Sequence, residues 1–451
     1  MASLPPDDAD LPDTPAARPG GEPPTSHGEG ADPDVPQPAG KRHPVDAPAV
    51  PASDGAPALP PIPETGPDDG AAPRKPTLPP IKKPARPPGT KRPPVPAKAR
   101  TVDPEGDGAA LGLPVLTRKD FVSGSDVRWC PGCGDYAVLA AVQRALPELA
   151  ETRENVVFIS GIGCSSRFPY YIESYGFHTI HGRAPAVATG VKLANPDLDV
   201  WLVTGDGDGL SIGGNHMMHV LRRNVNMQIM LFNNEIYGLT KGQYSPTSRE
   251  GTRTPTSPIG SVDHPANPCA FALGSGARFV ARGIDVSKNL PDVLKAAHAH
   301  QGAAFIEIFQ NCIVYNKDVF NDFAAPKGAE DQQLWLENGK PMLFAKDTKG
   351  ITLNREKLCL EVVDVVDGDW ESAGVIVHDV TNRSIAHMLV EMPFGPFPMA
   401  LGVLYDDPRP TFEDAVIAER AKASEGKDAN LAKLLGKGQT WTVSGTAQDP
   451  V

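Results

Sequence analysis

Two sets of residues in this 451-residue chain could do chemistry. The first is Asp206 with Asn234. Asp206 lies in Gly205-Asp206-Gly207-Asp208-Gly209, where glycines let a backbone approach a ligand closely. Asn234 closes the pair Asn233-Asn234. Each follows an apolar run, 200–204 and 227–232, that reads as a buried parallel strand, and the helix-length segment 212–223 lies between them. In a strand–helix–strand unit both strand ends emerge at one edge of the sheet, where ligands bind. That places the Asp206 carboxylate beside the Asn234 amide. Two hard oxygen ligands next to a glycine-lined pocket suit Mg²⁺ carrying a diphosphate. The second set is thiols. Cys130 and Cys133 form C-x-x-C, and Cys164 and Cys312 each sit just past the end of an expected strand, able to reach one edge of the sheet. Four thiolates can hold an iron–sulfur cluster or a zinc ion, and spacing alone does not separate the two. The long gaps from 133 to 164 and from 164 to 312 do exclude a compact zinc module. Cys269, beside the helical AFALGSG, and Cys359, in the C-terminal segment, read as buried inert thiols.

The elements that must position these residues follow from pattern. The C-x-x-C run leads into a helix over 135–149, and a strand over 156–160 ends in the glycine turn that carries Cys164. The segment 176–190 holds His178, His181 and Arg183. A polar loop rich in Pro, Ser, Thr and Gly, 244–263, reads as a mobile active-site loop. Strands over 278–282 and 304–309 flank a helix over 290–300. This alternation argues one α/β domain, a mostly parallel sheet flanked by helices, over 117–323. From Tyr315 the pattern is irregular, and 324–451 reads as an extension packed on that domain. Much of the proline content, 49 residues in all, falls before Leu116 in a stretch with almost no aromatics, so 1–116 is expected to be a disordered tail. Its acidic first part (7–69) gives way to a basic one (73–100), which reads as a solvated linker because no aromatics interleave to stack on bases. A net charge of −12 argues against general nucleic-acid binding. The start, MASLPPDDAD, shows no signal peptide, and no apolar run reaches the roughly 18 residues of a membrane span. Six cysteines without secretion signals point to a reducing, cytoplasmic setting.

GDG followed, one strand–helix–strand unit later, by NN resembles the thiamine diphosphate motif. On that resemblance Asp206, Asn234 and the Ile236 carbonyl hold Mg²⁺. CPGCG, GIGCSSR, HGRA, GDGDG, NNEIYGLTKGQ and the late Cys312 together resemble the β subunit of 2-oxoacid:ferredoxin oxidoreductases, over roughly 123–323. The resemblance implies a [4Fe–4S] cluster on Cys130, Cys133, Cys164 and Cys312, beside thiamine diphosphate. It implies a cofactor lining of Ile162, Gly163, Cys164, Ser165, His181, Gly207, Asp208, Gly238 and Leu239, with an orienting role for His181 as the alternative. It also implies an α subunit and ferredoxin as partners. In the family the carboxylate that activates the aminopyrimidine comes from the α subunit, and no glutamate here can be assigned to that role, so half an active site is expected. The chain is most similar to the 2-oxoglutarate type, which turns 2-oxoglutarate, CoA and oxidised ferredoxin into succinyl-CoA, CO₂ and reduced ferredoxin. Arg167 could pair bidentately with the distal carboxylate that 2-oxoglutarate has and pyruvate lacks. Leu239 stands where pyruvate-specific relatives usually have asparagine. The alternatives are a pyruvate or broad-range oxidoreductase, a non-redox thiamine enzyme and a zinc-stabilised binding module. Four cysteines argue against the second, and GDGDG with NN against the third.

Overall fold

The short apolar runs at 156–160, 200–204, 227–232 and 304–309 form strands covered on both faces. The structure is a computed structural model that describes residues 115–150, 152–325, 329–426 and 430–438. The expected tail therefore lies outside the described residues but for Val115 and Leu116.

In chain order the elements are α1 (Asp135–Leu149), β1 (Val156–Ser160), β2 (Tyr175–His178), α2 (Ala184–Ala194), β3 (Asp199–Gly205), α3 (Asp206–Leu210), α4 (Gly214–Arg223) and β4 (Met227–Asn233). Then come α5 (Pro268–Gly274), β5 (Phe279–Ile284), α6 (Leu290–Ala299), β6 (Ala303–Phe309) and α7 (Asn321–Ala324). The later part adds β7 (Gln333–Leu336), β8 (Leu343–Phe344), β9 (Lys349–Asn354), β10 (Cys359–Asp364), α8 (Arg383–Val390), β11 (Met399–Asp406), α9 (Phe412–Ser424) and α10 (Leu431–Leu435).

The main sheet has eight strands in the order β2-β1-β3-β4-β6-β5-β11-β7. Neighbours run parallel except β11, which pairs antiparallel with β5. Alternation along β3 shows how both faces are buried. Val200 and Leu202 enter one core with Val157, Ile159, Leu221 and Leu273, under α2, α4, α5 and α8. Trp201 and Val203 enter the other with Phe158, Phe232, Leu146 and Leu294, under α1 and α6. Such double coverage is why these strands are apolar throughout rather than alternating.

Two expectations are corrected. The segment 324–451 does more than pack on the domain: β7 and β11 extend the main sheet itself, and only β8 to β10 form a separate three-stranded sheet. The GDGDG stretch forms a short helix, α3. Glycine costs about 0.5–1 kcal/mol in a helix, but the buried Asp208 carboxylate bonds three different segments and holds this one in place. The loop 244–263 is anchored by the buried Ser245, Thr247, Ser248, Thr254 and Ser261, while much of 249–263, Ile259 and Val262 among it, is exposed. Cys269 is buried as expected, on α5, whereas Cys359 is only half-buried where β10 begins.

Candidate active site

Four parallel strands deliver the chemistry-bearing residues to one edge of the sheet. Cys164 follows β1, Asp206 follows β3, Asn234 follows β4 and Cys312 follows β6. Asp206 is 3% exposed. Its Oδ2 accepts from Ser245 Oγ and Thr247 Oγ1, each at 2.6 Å. Burial pushes its carboxyl up and these hydroxyls oppose the shift. Among the described residues no lysine or arginine pairs with it, so this buried carboxyl meets only neutral donors.

The expected Asp206–Asn234 pairing is indirect. Among the described residues no hydrogen bond joins these two side chains. Asn234 Nδ2 donates to Gln310 Oε1 at 2.8 Å, and its Oδ1 accepts from Ile236 N at 3.2 Å. The amide that reaches Asp206 at one remove is that of Asn233, through Thr247. The turn just after Asn234 holds Glu235 at φ 54°, a left-handed conformation that few non-glycine residues adopt. Glu235 is pushed up to about 7 by burial, with Arg249 opposing. Ile236 is buried.

Asp208 clamps the loops around this point. Its Oδ1 accepts from Gly182 N at 2.7 Å and from Ile162 N at 3.2 Å, and its Oδ2 accepts from Thr204 Oγ1 at 2.7 Å. A methyl group at Gly161 would collide with that carboxylate, and one at Gly207 with the Tyr237 ring. At Gly163 (φ +135°) a methyl would meet nothing within 4 Å, so this turn faces open space, with room for a ligand. Ser165 is buried, His181 is exposed and Leu239 is 42% exposed.

The thiols converge beside Leu239. A methyl at Gly238 would stand 3.4 Å from Cys312 Sγ and 3.7 Å from Cys164 Sγ. Cys133 feels the charges of Cys164 and Cys312, and Cys164 feels that of Cys130. Burial pushes the Cys164 thiol up to about 11 and raises Cys133 further, with the carboxylate of Asp135 adding to both. Gln310 Nε2 donates to Cys133 Sγ at 3.3 Å. Among the described residues no three Cys, His, Asp or Glu side chains close on a single-ion point. Arg167 is half-buried on the turn after Cys164, where its charge lowers that thiol. Its Nη1 donates to the Arg128 carbonyl at 2.9 Å, and among the described residues no carboxylate pairs with it.

Sequence reasoning missed Asn233, Ser245 and Thr247. Serine and threonine are common in loops, and only the position of this loop just after NN hinted at contact.

A mostly parallel sheet carrying a GDG motif and an asparagine pair at adjacent strand ends defines the cofactor-binding domain of a thiamine diphosphate enzyme. Residues 161–308 match the family model described as thiamine pyrophosphate enzyme, C-terminal TPP binding domain. The 2-oxoglutarate oxidoreductase subunit KorB of Mycobacterium tuberculosis is 50% identical, over 74% of this chain and 95% of that protein. The 2-oxoglutarate synthase subunit KorB of Methanocaldococcus jannaschii is 38% identical over 52% of this chain and 87% of its own length. A solved 2-oxoglutarate:ferredoxin oxidoreductase from Magnetococcus marinus, with 2-oxoglutarate, coenzyme A and succinyl-CoA bound, matches with a TM-score of 0.57 and 36% identity, covering 72% of this chain and 97% of that one. The chain belongs to the family of 2-oxoacid:ferredoxin oxidoreductase β subunits.

Proposed function

We propose that this chain is the β subunit of a 2-oxoglutarate:ferredoxin oxidoreductase. With an α subunit it converts 2-oxoglutarate and CoA into succinyl-CoA and CO₂ and passes two electrons to ferredoxin. The observation that carries the reading is the approach of Cys164 and Cys312 to Gly238, beside a thiamine-type metal end. The names of the relatives and of the solved neighbour support the substrate.

Thiamine diphosphate supplies the carbanion that attacks the 2-oxo group and stabilises the charge left by CO₂. Asp206, Asn234 and the Ile236 carbonyl are the residues we assign to Mg²⁺. Cys130, Cys133, Cys164 and Cys312 are those we assign to a [4Fe–4S] cluster, and the buried thiols fit it because iron offsets the cost of ionising them. Cys130 is exposed, which gives electrons a short path to a docked ferredoxin. Ile162, Gly163, Ser165, His181, Gly207, Gly238 and Leu239 are assigned to the lining. Asp208 acts through the backbone by holding the Ile162 and Gly182 amides.

Arg167, without a carboxylate partner among the described residues, is assigned to the distal carboxylate of 2-oxoglutarate, and Leu239 shapes the pocket without offering a hydrogen bond. The test is steady-state kinetics of the reconstituted complex with 2-oxoglutarate and pyruvate. Arg167→Ala is expected to cost about 2–4 kcal/mol in kcat/KM for 2-oxoglutarate, the scale of unpairing a desolvated charge, and much less for pyruvate. An equal loss for both would reduce the substrate assignment to a 2-oxo acid.

A further inference from the structure

A buried hydrogen-bonded chain links the metal end of the site to the middle of the sheet. It starts at Arg282 on β5 and Glu307 on β6, which face each other across the strand pairing. Arg282 Nε donates to Glu307 Oε2 at 2.8 Å, with the two side chains 7% and 1% exposed. A buried ion pair of this kind is weak ground for stability, since apolar residues of similar size often do as well. Here the pair has a further consequence. Glu307 Oε1 accepts from Asn233 Nδ2 at 2.8 Å, which fixes the way round the amide lies. Asn233 Oδ1 is thereby turned to Thr247 Oγ1, 2.9 Å away. The same hydroxyl oxygen stands 2.6 Å from Asp206 Oδ2, so its one proton lies between two acceptors. Ser248 closes the arrangement from the other side: its Oγ accepts from Ser245 N at 2.7 Å and donates to the Glu235 carbonyl at 2.5 Å.

We infer that Asn233 and Thr247 are positioning residues, which with Glu307 behind them hold the Asp206 carboxylate in one orientation for a divalent cation–diphosphate. The inference rests on the reading of Asp206 as a ligand of that cation. None of the three touches substrate or cofactor in this scheme; each acts through Asp206. These hydrogen bonds also account for the burial of Ser245, Thr247 and Ser248 at the start of the loop 244–263, whose hydroxyls are the last link between the sheet and the metal end. Removing such an outer partner typically weakens metal binding without removing a ligand.

The test uses the complex with the α subunit, stripped of cofactor, and follows thiamine diphosphate binding calorimetrically as Mg²⁺ is raised. Thr247→Val keeps the shape and removes the hydroxyl. It is expected to raise the Mg²⁺ concentration at half-saturation about 10–100-fold, the range for losing an outer-shell partner. The iron content should stay at the wild-type value, which separates the effect from loss of the fold around the thiols. Thr247→Ser, which keeps the hydroxyl, should restore the wild-type Mg²⁺ dependence. Thr247→Ala is the second variant should valine prevent assembly. An unchanged Mg²⁺ dependence, with or without a lower melting temperature, would overturn the inference, as would failure of serine to restore it. A wild-type complex that binds the cofactor independently of Mg²⁺ would instead remove the metal reading of Asp206 on which it rests.

Discussion

A thiol in a buried place ionises only at a cost, unless a cation shares its charge. Cys133 and Cys164 are pushed up by burial and by the nearby Asp135 carboxylate, so as ligands they bind their metal against competition from protons. Replacing Cys130, Cys133, Cys164 or Cys312 by serine is expected to lower the iron bound per chain. Cys269→Ser should not, because that thiol is enclosed on α5 and donates to Glu307 Oε2 at 3.2 Å. Nor should Cys359→Ser, on the separate small sheet. Iron analysis and the visible spectrum of anaerobic protein check this. Iron lost from Cys269→Ser and retained by Cys312→Ser would reassign the fourth ligand. At this scale the legible residues were those with few alternative uses: the paired cysteines, the late Cys312 and the aspartates among glycines. Asn233, Ser245 and Thr247 escaped because their types are ordinary in loops, and their partners are fixed only once β3, β4 and β6 lie side by side.

Element boundaries were most legible where both faces of a segment are buried. The strand over 156–160 and the helix over 135–149 match the structure end to end, since a continuous apolar run or a clean i, i+4 stripe admits one register. The strands β7 and β11 were missed for physical reasons. β7 has four residues, and β11 carries Gly402 at φ +90°, where a methyl would lie 2.8 Å from the Leu336 carbonyl. That close approach weakens the strand pattern in the sequence while permitting the pairing in space. The consequence is that the later chain shares the core of the earlier one. Leu401, fully buried on β11, is expected to cost about 2–5 kcal/mol as Leu401→Ala. Denaturant unfolding followed through the whole chain checks it. A loss well under 1 kcal/mol would show that 324–451 is an appendage after all.

Seen whole, the described residues bring together Asp206, the loop clamp and the thiols, but no unengaged glutamate beside them, and the buried Asp135 carboxyl lies next to the thiols of Cys133 and Cys164. The two glutamates beside the site are already engaged: Glu235 accepts from Arg249 Nε at 3.2 Å, and Glu307 is taken up by Arg282 and Asn233. The cofactor side is also open at the surface, with Ile180 68% and Ile212 63% exposed near the Gly182–Gly213 contact. Among the described residues no helix is long and apolar enough to cross a membrane. A site so divided makes turnover a property of an assembly. The most direct measurement is therefore 2-oxoglutarate- and CoA-dependent reduction of a viologen under anaerobic conditions, by this chain alone, by the α subunit alone and by the two together. Succinyl-CoA and reduced viologen are expected from the mixture only. Full turnover by the isolated chain, or a cofactor-loaded mixture that stays inert with 2-oxoglutarate, would contradict the assignment.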